Sequence, residues 1–135
     1  MHADKSRLLR LTLTVNAVAT GACGLAFLAG GHLLGPLFGL APLVLWVLGA
    51  GFVAFGLHLR AVVRRPEIAR GTALYFALLD SAYVVASVVV VMDFPSLMSG
   101  MGRLVFALLA DIVAVFAVCE FIGYRRLSSL VPRSA

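Results

Sequence analysis

Four polar residues lie inside runs that are otherwise almost wholly apolar. The nineteen residues 73–91, "ALYFALLDSAYVVASVVVV", carry Asp80 and Tyr83, the run 104–124 carries Asp111, and the run 9–30 carries Asn16. A carboxyl group at the centre of a membrane helix costs roughly 2.5–3.5 kcal/mol on insertion scales, so each acid is expected to turn inward and find a partner. At helical spacing Asp80, Tyr83 and Ser87 share one face, as do Thr12, Asn16, Thr20 and Cys23.

Depth suggests who meets whom. Asp80 lies about 13 Å from the start of its run and Asp111 about 12 Å from the opposite boundary of its own, counted at 1.5 Å per helical residue. Asn16 enters from the same side as Asp80 and reaches nearly the same depth. An Asn16 amide donating to Asp80, and a Tyr83 hydroxyl bonded to Asp111, are the expected pairs. Two carboxyls this close and this deep would not both be ionised, because burial and mutual repulsion both disfavour the second charge. Such a pair would serve either as a proton- or cation-binding site or as polar pins that fix helix docking.

Glu120 is nine residues past Asp111, which puts it on the opposite face of the same helix. Its reckoned depth is near the membrane boundary, level with His58 and Arg60. An interfacial ion pair with His58 or an arginine is the expectation, a gate or oligomer contact the sharper version. His2, His32 and His58 fall at different places along the chain and form no metal set, so neither metal nor other cofactor is expected. Cys23 and Cys119 sit about 15 Å apart in depth, too far for a disulfide. No HExxH, GxSxG, phosphate-binding Gly–Lys loop or CxxC is present.

The elements that must position these residues are plain. Of 135 residues 62% are hydrophobic and only 13% charged, with a mean hydropathy of +1.07. A soluble domain of this size cannot bury that much apolar surface. Four runs, about 9–30, 41–60, 71–92 and 104–124, each suit a transmembrane helix of roughly 20 residues. The expected fold is all-α, an integral membrane bundle of four helices in antiparallel hairpins spanning residues 1–127. The end of the chain, 128–135, contains "LVPR", which resembles a thrombin-site remnant of recombinant expression.

Gly and Pro break the runs at "GGHLLGPLFGLAP", "RAVVRRPEIARG" and "DFPSLMSGMG". The first of these is apolar and is expected to dip back into the membrane boundary. Of eleven Lys and Arg, only Arg103 lies on the side of the first and third breaks, so the other side, with both termini, is expected to be cytoplasmic. The basic residues flank spans and build no groove, so anionic lipid and not nucleic acid is the expected contact. Asn16 and Asp80 occupy like positions in two hairpins, a faint repeat. Ala17, Gly21 and Gly24 on helix 1, Gly49, Gly51 and Gly56 on helix 2, and Ala107, Ala110, Ala114 and Ala117 on helix 4 should let backbones approach.

In "KSRLLRLTLTVNAV", "LGPLFGL", "GLHLRAVVRRP" and "ALLDSAYVVAS" the chain resembles uncharacterised small bacterial four-helix inner-membrane proteins. It departs from the small multidrug exporters, whose first helix carries a membrane Glu where this chain has Asn16. The resemblance implies residence in a bacterial inner membrane. The expected function is an accessory or scaffold role without catalysis. The alternative is a proton- or cation-linked transporter or channel acting as a homodimer through Asp80 and Asp111, and a lipid-modifying enzyme is the third. The expected partners are the bilayer, a second copy, or another membrane protein.

Overall fold

A computed structural model describes residues 2–128, with side chains from 7 to 127; the LVPR string lies outside them. Four helices fill it: α1 (His2–Phe38), α2 (Pro42–Val63), α3 (Arg70–Asp93) and α4 (Gly100–Ser128), with a 3-10 turn at Pro95–Leu97 before α4. All four are long and apolar enough to cross a membrane. Their exposed surface is rich in large apolar side chains, among them Leu33, Leu43, Val85 and Val115. Together these features make the chain a multi-pass membrane protein built as a helical bundle.

Helix α1 is much longer than the run 9–30. It passes through Gly30 and Gly31 and ends only at Phe38. Neither glycine reverses the chain, and Gly31 serves close approach: a Cβ there would stand 2.4 Å from the Trp46 indole nitrogen. The reversal falls at Gly39, whose φ is +70°. Its N–H donates to the Pro36 carbonyl at 3.3 Å and that of Leu40 to the Gly35 carbonyl at 2.9 Å, a Schellman end that satisfies the last helical carbonyls. Pro42 then opens α2, where its missing N–H costs nothing. The expected dip of "GGHLLGPLFGLAP" back into the boundary is therefore replaced by continuous helix and a three-residue turn.

Ser99 joins this turn to the one before α4. Its hydroxyl accepts from the Gly102 N–H at 3.0 Å and donates to the Leu37 carbonyl at 2.7 Å. Its own N–H donates to the Phe38 carbonyl at 2.7 Å. One residue thus caps α4 and occupies two carbonyls at the end of α1. At the other end of the bundle Arg10 closes α2, its guanidinium donating to the carbonyls of Val63 (2.9 Å), Arg65 (3.0 Å) and Pro66. Arg70 of α3 reaches Tyr124 of α4, donating to its hydroxyl at 2.7 Å.

Helix α1 packs against both α2 and α4, and α4 against α3. The α1–α2 seam is backbone on backbone: a Cβ on Gly24 would lie 2.6 Å from the Gly49 carbonyl oxygen. In lipid no water-driven collapse holds helices together, so such close approach supplies the attraction. Helix α2 meets α3 through rings instead, Phe52 against Tyr83 (centroids 5.6 Å apart) and Phe55 against Phe76 (5.8 Å). Two apolar clusters form the core. Leu9, Leu13, Leu59 and Phe76 gather at the Arg10 end, and Phe27, Phe38, Leu45 and Phe106 at the Ser99 end. Along α1, Asn16 falls between them.

Candidate functional site

The layer between the two apolar clusters is polar. Asn16 and Glu120 are 0% exposed and Asp80 is 4% exposed. The Asn16 amide nitrogen donates to Asp80 Oδ2 at 2.7 Å and to Glu120 Oε1 at 3.1 Å. Its carbonyl Oδ1 accepts from the Thr20 hydroxyl at 2.8 Å. Two carboxyl oxygens flank the same amide atom, so that atom must be the nitrogen. Both amide protons are used, and the oxygen accepts one hydrogen bond. The same nitrogen brings the carboxyls of Asp80 and Glu120 side by side. Glu120 Oε2 is buried and finds no hydrogen-bond partner among the described residues.

Two carboxyls therefore share one neutral amide, and among the described residues no basic side chain is bonded to them. Two full negative charges about 4 Å apart repel by about 4 kcal/mol at an effective dielectric of 20. Each of the amide's two hydrogen bonds to a charged group returns only about 1.5–3 kcal/mol, while taking two carboxylates out of water costs several kcal/mol each on top of that repulsion. The amide alone cannot hold both acids as anions. A proton between them removes the repulsion and supplies the donor that Oε2 lacks; a bound cation beside them would do the same electrostatic work.

The sequence-based expectations divide here. Asn16 does donate to Asp80. The bond from Tyr83 to Asp111 is not made: the Tyr83 hydroxyl is buried without a partner, and Asp111 is exposed on the outer surface of α4. The inward carboxyl of α4 is Glu120, which leaves the pair Asp80/Asp111 replaced by Asp80/Glu120. Nor does Glu120 meet His58, which is itself exposed and lies against the rings of Tyr75 (6.0 Å) and Phe76 (5.4 Å). The depth reckoning failed because α4 runs on to Ser128 and α3 starts at Arg70. With those ends, Glu120 is about 12 Å from the end of α4 and Asp80 about 15 Å from the start of α3, nearly one level.

A signal for Glu120 was present in the spacing. The buried positions of α4 include Gly102, Phe106, Ala110, Ala117, Glu120 and Gly123, steps of four, four, seven, three and three that keep to one helical stripe. The glycines at its two ends pack on α1, where a Cβ on Gly123 would touch Leu9 at 3.0 Å and one on Gly102 the Phe38 carbonyl at 2.5 Å. Reading the alanines without these glycines tilts the stripe toward Asp111 and away from Glu120.

A cavity of about 320 Å³ reaches Asp80 of the acid pair and is lined from all four helices, with Thr20, Phe52, Phe55, Tyr83 and Phe116 also among its walls. Tyr83 also borders a second cavity of about 570 Å³, which extends to Gly39, Leu97 and Met98 at the Ser99 end. Tyr83 is thus a wall common to both spaces. No protein-family model, curated protein or solved structure matches the chain, so the site's chemistry rests on its geometry.

Proposed function

We propose that the protein is a small inner-membrane transporter, without catalytic chemistry, in which the Asp80–Glu120 pair binds a proton or a cation during passage of a substrate across the bilayer. The observation that carries this reading is one amide nitrogen shared by two buried carboxyls, with Glu120 Oε2 left without a donor among the described residues. A structural pin needs one acid and one donor. A second acid with no counter-charge adds cost unless it holds something. The two cavities that share Tyr83 as a wall supply space on the Ser99 side of the pair.

In this reading the hairpins are antiparallel, and the Arg-rich end, with both termini, faces the cytoplasm, as the distribution of basic residues favours. The outward Asp111 would be covered by a second copy, since four helices seldom enclose a pathway alone. The test uses proteoliposomes holding a pH-sensitive dye and given a proton gradient, with sodium, potassium or benzyltrimethylammonium offered in turn on the side opposite the excess of protons. Dissipation faster than in empty vesicles, abolished by Asp80→Asn and by Glu120→Gln, is expected. Decay at the empty-vesicle rate, or decay unchanged in both variants, overturns transport through this site.

A second reading, an accessory or scaffold protein, draws on the α1–α2 seam, where Gly24 and Gly49 fix two backbones rigidly together. It predicts no flux and a polar layer whose sole effect is on stability.

A further inference from the structure

Building on the acid pair as a proton site, we propose that the cavity beside it takes a lipophilic organic monocation, an amine or quaternary ammonium on an aromatic or branched hydrocarbon body, in exchange for the shared proton. The volume of about 320 Å³ is at the lower end of the range of small-molecule sites. Its walls are apolar apart from Thr20, Cys23, Asp80 and Tyr83, and no basic residue is among them. An anion would find no counter-charge there. A small inorganic ion would find too few oxygens, since Ca²⁺ alone asks for about 6–8 ligands.

An organic cation meets neither obstacle. Phe52, Phe55 and Phe116 line the cavity from α2 and α4, and ring faces attract a desolvated cation. Asp80 offers the charge. The Tyr83 hydroxyl, buried and without a partner, offers a further acceptor in the same wall. Leu79 and Ile112 also line the cavity, which is open on one side, and are 38% and 49% exposed. The space therefore reaches the lipid-facing surface, and an apolar ligand can enter from the bilayer.

The exchange balances in charge. One proton leaves the Asp80–Glu120 pair as one monovalent cation enters, and the site's net charge is unchanged. The titratable groups around Asp80 are Glu120 from α4, Cys23 from α1 and Tyr83 from α3 itself, while α2 contributes only rings. Competition for a single site follows: affinity for the cation should fall about tenfold for each unit of pH lowered while the pair holds its proton.

The test is calorimetric titration of the purified full chain in detergent with benzyltrimethylammonium, run in two buffers of different ionisation enthalpy. Saturable binding with one proton released per cation is expected, lost in Asp80→Asn. Phe116→Leu should weaken binding roughly 3- to 30-fold without altering the thermal midpoint much; it keeps the proposal testable should Asp80→Asn not fold. Binding without proton release, binding undiminished by either substitution, or equal binding of benzenesulfonate overturns the proposal. If no cation binds while the unliganded chain still takes up a proton that Asp80→Asn abolishes, the ligand class is wrong and the proton site stands. If that proton uptake is itself missing, the reading beneath it falls too.

Discussion

Asn16 and Glu120, 104 residues apart in the chain, are joined by a 3.1 Å hydrogen bond from the same amide nitrogen that holds Asp80 at 2.7 Å. Three helices are thereby tied at one atom. Asn16→Ala leaves two buried carboxyls without a donor, and each orphaned group costs about 1–3 kcal/mol. The thermal midpoint in detergent should fall clearly, with more of the loss regained at low pH, where added protons relieve the repulsion. An unchanged midpoint at every pH would show that the amide does not hold the layer together.

Asp80 and Asp111 should respond with opposite sign to the same change. Asp80→Leu removes the partner of Asn16 and destabilises the bundle. Asp111→Leu takes an acid off the outer surface of α4, where a carboxyl at mid-span costs roughly 2.5–3.5 kcal/mol. The monomer should gain stability on denaturant titration. If a second copy covers Asp111, the same variant should instead lose cross-linked dimer in native membranes.

The α1–α2 seam gives a paired test on glycines. Gly24→Ala sets a methyl 2.6 Å from the Gly49 carbonyl oxygen, and backbone cannot yield as a side chain can. A loss of about 1–3 kcal/mol is expected from overpacking. Gly51→Ala meets nothing within 4 Å and should be neutral or raise helix stability by about 1 kcal/mol. Equal thermal midpoints for the two variants would sink the account of this seam.

Ser99→Ala removes the α4 cap and the donor to the Leu37 carbonyl together. The cap alone is worth about 1 kcal/mol. Hydrogen exchange should accelerate at the first turn of α4 and at the Gly39 turn, with little change around Asn16. Protection lost evenly along the whole chain would contradict a local role.

Composition and the length of four apolar runs determined that this chain lives in lipid as four helices, because a surface so apolar has no other solvent and a backbone in hydrocarbon must bond to itself. The Asn16–Asp80 contact was also legible, since both residues sit on polar stripes at matching depth in their runs. Which acid of α4 faces inward was not. Asp111 and Glu120 lie on opposite faces, and hydropathy, which is high all round the helix, carries no phase. Only the packing of Gly102 and Gly123 on α1 fixes the rotation of α4 that buries Glu120 and turns Asp111 out. The helix ends were hidden for a related reason: Gly30 and Gly31 look like a break in sequence, but inside lipid a glycine keeps its helical bonds and makes room for Trp46. Tertiary contact, and not the residue type, decided between the two.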